Sequence, residues 1–316
     1  MRVAFLETVH PRLEERLTAA GFQCEAAYNA QRNEILAGTL AHAEGLVIRS
    51  RFMVDRELLE KLPRLRFIAR SGSGLENIDC VTAAERGVAV FNSPEGNRVA
   101  VGEHAVGMLL SLLHKLHAAD RSVRDGHWLR EAHRGSELAG RTVGIVGLGQ
   151  MGSAFAQRLQ GFECRVIAYD KYPTRPEHNQ HATLVDEATL MRESDVISLH
   201  LPLTAETDHL VNAAWLQRLR RAPILINTSR GPIASTPNIA TALKAGWISG
   251  AALDVLEEEG RDLLGLTNRS PALAALAADS RVILSPHVAG WTTESHFKLS
   301  EVLADKVLAA FPPLGK

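Results

Sequence analysis

Across the first hundred residues, short apolar runs alternate with segments whose apolar positions recur every three or four residues. RVAFLE, CEAAYN, LVIRS, RLRFIARSG and VAVFNSP read as strands, and RLEERLTAAG, RELLEKL and VTAAERG as amphipathic helices. Such alternation implies βαβ units and a parallel sheet. From Asn97 to about Val123, the residues Val101, Ala105, Met108, Leu109, Leu112, Leu113 and Leu116 share one face, which predicts a long helix at a boundary between two domains. A second series follows: RTVGIVG, RVIAYD, DVISLHLP, PILINTSRG, SGAALDVLE and RVILSPH. With helical patterns between most of them, these are roughly six strands in the doubly wound order of an α/β domain. After Trp291, TTESHFKLSEVLADKVLAAF predicts one amphipathic helix with Phe297, Val302, Leu303 and Val307 on one side, too little to fold by itself. The most polar loop is KYPTRPEHNQH, 171–181.

Composition narrows the partners. A chain of 316 residues, 46% hydrophobic and 22% charged, can bury a full core and divide into two domains. Its 35 basic and 36 acidic side chains leave a net charge of -1, with no field to draw in nucleic acid or an anionic membrane. Small-molecule chemistry is the expectation. Cys24, Cys80 and Cys164 are too few and too scattered for a disulfide framework or a zinc site, which fits a reducing cytoplasm. Glu7 interrupts any signal-peptide core, and no run of about 18 apolar residues could span a bilayer. His104, His114, His117, His178 and His181 include i,i+3 pairs, but no carboxylate or thiolate set completes a metal site, so they read as surface or packing residues and no metal is expected.

Within TVGIVGLGQMGSAFAQRL, 142–159, Gly147, Gly149 and Gly152 form GxGxxG between a β-branched run and a helical one. The first glycine permits a tight turn, the second lets a diphosphate approach the backbone, and the third lets helix and strand pack closely. The amides of Gln150 and Met151 would then point at phosphates from the helix N-terminus. A glycine triplet alone also fits a plain strand-to-helix turn; its context decides. Asp170, at the tip of RVIAYD, stands where an acid hydrogen-bonds the adenine ribose hydroxyls. NAD is the expected cofactor, because a carboxylate there repels a 2′-phosphate and only Lys171 beside it favours NADP.

An enzyme that interconverts an alcohol and a carbonyl with a nicotinamide needs a proton donor and acceptor, and usually a cation for the substrate's acid group. INTSRG puts Arg230 after one β run, ALDVLEEEG puts Asp254 and Glu257 to Glu259 after another, and ILSPHVAGW puts His287 after a third. Open α/β sheets bind ligands at the carboxyl ends of their strands. Each residue has a plain alternative: a surface ion pair for Arg230, a solvated turn for the glutamates, a structural loop for His287. Their joint occurrence at successive strand ends favours chemistry.

These segments carry a resemblance. GLGQMG with Asp170, HLPLTAET, INTSRG, GAALDVLEEE and SPHVAGWT resemble the D-isomer-specific 2-hydroxyacid dehydrogenase family, and RSGSGLENID and NSPEGNRVAVGEHAVGMLL are similar to its substrate-domain signatures. The likeness runs from about Val47 to Trp291, and within the family it is greatest to the short phosphoglycerate dehydrogenases without a regulatory domain. It implies two Rossmann-like, doubly wound parallel-sheet α/β domains: a discontinuous substrate domain, 1–97 and 292–316, and an NAD-binding domain, 98–291. It also implies a homodimer held by the cofactor domains.

Carried over by the resemblance, Arg230 clamps the substrate carboxylate and helps polarise the C2 carbonyl. His287 exchanges a proton with the C2 oxygen, and Glu259 fixes the imidazole tautomer. Ser73 and Gly74 offer amides to the same carboxylate. Thr228, Ser229 and Asp254 line the nicotinamide side, with Thr207 nearer the rest of the cofactor. Gly260 stands where the family usually has proline, and 261–281 is longer than the usual connection, so Glu257 and Glu258 remain alternative partners of His287. Arg49 and Arg51, two apart in VIRSRFMV, are expected on one side of an extended run, where a similar RSR in phosphoglycerate dehydrogenases holds the substrate phosphate. The implied substrate is a small 2-hydroxy or 2-oxo acid, 3-phosphoglycerate/3-phosphohydroxypyruvate first and glyoxylate or hydroxypyruvate second. A non-catalytic, NADH-responsive binding protein of corepressor type is the other class these residues allow.

Overall fold

The computed structural model describes residues 1–172, 175–260 and 265–312. They fall into two compact units, one of residues 1–97 and 291–312, the other of 98–260 and 265–290. Among the described residues, the strands form one parallel sheet in each unit.

In the first unit, β1 (Arg2–Phe5), β2 (Gln23–Ala26), β3 (Gly45–Ile48), β4 (Phe67–Arg70) and β5 (Ala89–Asn92) lie in the order β2-β1-β3-β4-β5. The connections carry α1 (Arg12–Ala19), α2 (Arg32–Leu36), α3 (Arg56–Glu60) and α4 (Cys80–Glu85). Alternation along β1 divides the unit's apolar residues between two faces. Ala4 and Leu6 join Leu46, Ile48 and Leu58 on one, and Val3 and Phe5 join Leu13, Leu17 and Phe67 on the other.

The second unit begins within α5 (Pro94–Leu113) and continues through α6 (Leu116–Arg124). A single long helix is expected there, but the chain bends by 62° between the two. The cause is local: the Leu113 carbonyl accepts the Ser136 amide at 2.9 Å, and Lys115 takes a left-handed φ of 53°. The sheet strands are β6 (Thr142–Val146), β7 (Arg165–Tyr169), β8 (Thr183–Leu184), β9 (Val196–Leu199), β10 (Ile224–Asn227), β11 (Gly250–Leu253) and β12 (Val282–Leu284). Their order is β12-β11-β10-β9-β6-β7-β8, so a two-residue edge strand joins the six read from the sequence. Between them run α7 (Gln150–Arg158), α8 (Glu187–Glu193), α9 (Ala213–Gln217), α10 (Thr236–Ala245) and α11 (Pro271–Ala278). Apolar clusters cover both faces of the sheet, as strands connected by crossover helices require.

The last helix, α12 (Thr293–Ala310), packs in the first unit, where Leu303, Ala304 and Val307 join Phe5 and Phe67. Glu301 pairs with Arg12 and Arg16 of α1. Its buried face differs from the expected one: Leu299 and Ser300 are buried, whereas Phe297 is exposed and its ring meets His10 edge-on at 5.2 Å. Among the described residues, no single helix is long and apolar enough to cross a membrane.

Candidate active site

β10, β11 and β12 are neighbours in a parallel sheet, so the loops that follow them leave the same edge side by side. Arg230 follows β10, Asp254 follows β11 and His287 follows β12. The loops are stitched together: the Asp254 amide donates to the Asn227 carbonyl at 3.0 Å, and the His287 amide donates to the Asp254 carbonyl at 2.7 Å. A Cβ at Gly231 would collide with the Leu256 carbonyl, so only glycine lets the Arg230 loop approach this closely. Buried Asn227 shapes that loop, its amide donating to the Arg230 carbonyl at 3.0 Å while its oxygen accepts the Ser229 hydroxyl at 2.7 Å. The Arg230 guanidinium donates to the Ser229 carbonyl at 2.6 Å.

His287 has a φ of 54°, unfavourable for a residue with a Cβ. The backbone is held there by Asp254, which is 1% exposed and whose carboxylate accepts the amides of Val288 at 2.9 Å and Ala289 at 2.8 Å and the Ser285 hydroxyl at 2.5 Å. Asp254 therefore anchors the His287 loop. Strain maintained by a buried network is a mark of functional positions. The imidazole Nδ1 lies 3.1 Å from Glu259 Oε2.

The three consecutive glutamates take different partners. Glu257 accepts from His209 Nε2 at 2.8 Å and from the Thr236 amide, and its carboxylate holds His209 above the usual histidine range. Glu258 is buried and accepts the hydroxyls of Thr236 at 3.0 Å and Ser270 at 2.6 Å. Neither is the partner of His287, so the alternatives left open by Gly260 reduce to Glu259.

The glycine turn lies between β6 and α7. Gly147 has a φ of 90°, and a Cβ there would meet the His200 carbonyl oxygen at 2.5 Å. A Cβ at Gly152 would collide with the Gly147 carbonyl oxygen, which explains the third glycine as helix-to-strand packing. Gly149 is different: nothing lies within 4 Å of its Cβ position, so the turn leaves open space at the middle glycine. No side chain caps α7 at Gly149, so the helix start, with Gln150 and Met151, is available to an anion. Asp170 accepts the Leu148 amide at 2.8 Å and the Tyr172 amide at 3.0 Å, tying the acid to the turn. The Thr228 hydroxyl is buried with no hydrogen-bond partner among the described residues. An open turn, an uncapped helix start, an acid and an orphaned hydroxyl fit a dinucleotide. Thr207 braces its own loop, donating to the Pro202 carbonyl at 2.6 Å and accepting the Thr204 amide at 2.9 Å.

Two polar contacts carry no sequence signal. Arg98 donates to Gln150 Oε1 at 2.8 Å, which brings a guanidinium to the start of α7. His104 Nε2 lies 3.0 Å from the Ser285 hydroxyl that supports Asp254. The spacing of α5 registers its apolar face and is silent about these two polar positions.

In the first unit, the Ser73 hydroxyl donates to Asn97 at 2.7 Å, and the Ser73 and Gly74 amides donate to no acceptor among the described residues. The extended run expected to carry Arg49 and Arg51 does not continue through them. β3 ends at Ile48, and the chain then turns around Glu7, whose carboxylate accepts the amides of Arg49 at 2.5 Å, Ser50 at 3.2 Å and Arg51 at 3.2 Å. The Arg49 guanidinium lies 4.5 Å from the Trp291 ring, whereas Arg51 donates to the carbonyls of Leu6 and Tyr28. With the extended run broken, the alternation that would align them is lost.

Comparison with known proteins supplies the family. Residues 106–289 match the family model described as the NAD binding domain of D-isomer specific 2-hydroxyacid dehydrogenases. The chain is 33% identical to D-3-phosphoglycerate dehydrogenase of Archaeoglobus fulgidus over 98% of its own length, spanning 57% of that relative. It is 37% identical to glyoxylate reductase of Thermococcus litoralis, covering 87% of this chain and 82% of the relative. Its fold matches an NADPH-dependent glyoxylate/hydroxypyruvate reductase of Sinorhizobium meliloti, solved with NADP and malonate, at a TM-score of 0.82 and 30% identity over 98% of this chain and 93% of that one. The class is that of NAD(P)-linked oxidoreductases acting on CH–OH groups. Within that class, the chain belongs to the D-isomer specific 2-hydroxyacid dehydrogenase family.

Proposed function

We propose that this protein is an NAD-dependent D-2-hydroxyacid dehydrogenase whose acid/base is His287. The observation that carries the reading is the contact between His287 Nδ1 and Glu259, made at a strained strand-end backbone that buried Asp254 maintains. With Nδ1 committed to Glu259, Nε2 is the nitrogen that gives a proton to the C2 oxygen on reduction and takes it back on oxidation. Arg230, at the neighbouring strand end, binds the substrate carboxylate through its planar fork. The Ser73 and Gly74 amides serve the same carboxylate. Bound NADH supplies the hydride. The turn at Gly147, Gly149 and Gly152 and the amides of Gln150 and Met151 would hold its diphosphate, and Asp170 would take the adenine ribose. Thr228 and Ser229 serve the nicotinamide side, and Thr207 shapes a neighbouring loop. The second unit, residues 98–260 and 265–290, is the NAD domain and the first is the substrate domain.

Glyoxylate and hydroxypyruvate are the substrates this geometry supports best. A dianionic phosphate is best met by guanidinium groups, and the Arg51 Nη1 already donates to the backbone carbonyls of Leu6 and Tyr28. Phosphohydroxypyruvate is the second reading, favoured by the RSR motif and by the likeness to phosphoglycerate dehydrogenase. Absorbance at 340 nm with NADH and a panel of 2-oxo acids tests both. Turnover greatest with unphosphorylated acids supports the first, a preference for the phosphorylated acid supports the second, and binding of NADH without turnover on any acid contradicts both.

A further inference from the structure

The sheet order β9-β6-β7 sets the loops after β9 and β7 on either side of the glycine turn that follows β6. One side chain crosses from the first loop to the second. Glu206, in the TAET turn after β9, binds the Lys171 ammonium with one carboxylate oxygen and accepts the Tyr172 hydroxyl at 2.6 Å with the other. Lys171 and Tyr172 directly follow Asp170, and the turn that carries Glu206 is braced by Thr204 and Thr207.

We propose that Glu206 is a cofactor-selecting residue: by pairing with Lys171 it neutralises the cation beside Asp170, so that a dinucleotide with a 2′-phosphate is disfavoured. Lys171 is the cation next to the acid that meets the adenine ribose, and is therefore the group placed to accept a 2′-phosphate. Paired with Glu206, it offers no net charge to that phosphate. Tyr172, donating to the same carboxylate, joins the two loops. The inference rests on the proposed use of the glycine turn for a nicotinamide dinucleotide.

The test is direct binding, independent of turnover. Dissociation constants of NADH and NADPH are measured by fluorescence titration for the wild type, Glu206→Gln, Lys171→Met and the double variant, with displacement by 2′,5′-ADP and 5′-AMP isolating the phosphate. Glu206→Gln is expected to tighten NADPH and 2′,5′-ADP about two- to fivefold, the scale of one exposed ion pair, while NADH and 5′-AMP stay unchanged. Lys171→Met alone should leave NADH unchanged and should not tighten NADPH, and in the double variant it should abolish the gain. The gain should also shrink as salt rises. An NADPH-to-NADH ratio that Glu206→Gln leaves unchanged, or a gain that survives loss of Lys171, overturns the inference while leaving the NAD reading intact. A wild type that binds neither cofactor, or NADPH more tightly, overturns the reading beneath it. Lys171 and Glu206 are largely exposed, so these variants are expected to fold, and thermal melts check that directly.

Discussion

His287 combines a task and a strain in one residue: its ring meets Glu259 at 3.1 Å while its backbone sits at a φ of 54°. Arg230 supports a different prediction. Arg230→Lys should lower kcat/KM for 2-oxo acids by a factor of about 10² or more, because an ammonium cannot form two parallel bonds to a carboxylate. Near-normal steady-state kinetics in that variant would remove Arg230 from the site. His200 is expected to limit acid stability. Its Nδ1 is buried without a partner among the described residues, Nε2 meets the Ser198 hydroxyl at 2.8 Å, and burial pushes its pKa down to about 3. The unfolded chain takes up a proton as pH falls through about 6.5, whereas the folded chain does not, so stability is full above that pH and declines below it by about 1.4 kcal/mol per unit. Urea unfolding at pH 7.5 and 5.5 should show a shallower decline in His200→Gln than in the wild type; equal declines would mean that other groups set the acid limit.

At the scale of elements, the strand ends are legible in the sequence and the turns between elements are less so. GLGQMG, INTSRG and ILSPH announce themselves because β-branched runs stop at glycine, arginine or proline, and the parallel sheet then gathers Arg230, Asp254 and His287 at one edge. Local pattern cannot separate Glu257, Glu258 and Glu259, whose partners Thr236, His209, Ser270 and His287 are distant in sequence. Nor can it show the turn at Arg49 and Arg51, which depends on Glu7, 42 residues from Arg49. The break after α5 is hidden because the apolar spacing continues through Leu116 although the backbone does not. Lys115 bears the cost of that break. Lys115→Gly should raise stability by about 0.5–1 kcal/mol by removing the left-handed strain, and Lys115→Ala should not. Chemical denaturation decides, and an equal effect of the two substitutions would place the strain elsewhere.

For the whole molecule, the homodimer implied by the resemblance is an expectation, and Leu116, Val123, Trp128 and Leu129 of the second unit, all exposed in the single chain, with Trp128 82% exposed, are the residues a partner would cover. Sedimentation should give twice the chain mass for the wild type and a monomer for Trp128→Glu with Leu129→Glu; a monomeric wild type would leave that surface without the proposed partner. The central claim concerns the acid/base. Its most direct test compares turnover and NADH affinity in the wild type and His287→Asn, since asparagine tolerates the left-handed backbone and so preserves the loop. The account predicts an NADH dissociation constant within about twofold of wild type, and a kcat on glyoxylate or hydroxypyruvate lower by about 10²–10⁴. A variant that turns over within a few-fold of the wild type would contradict it.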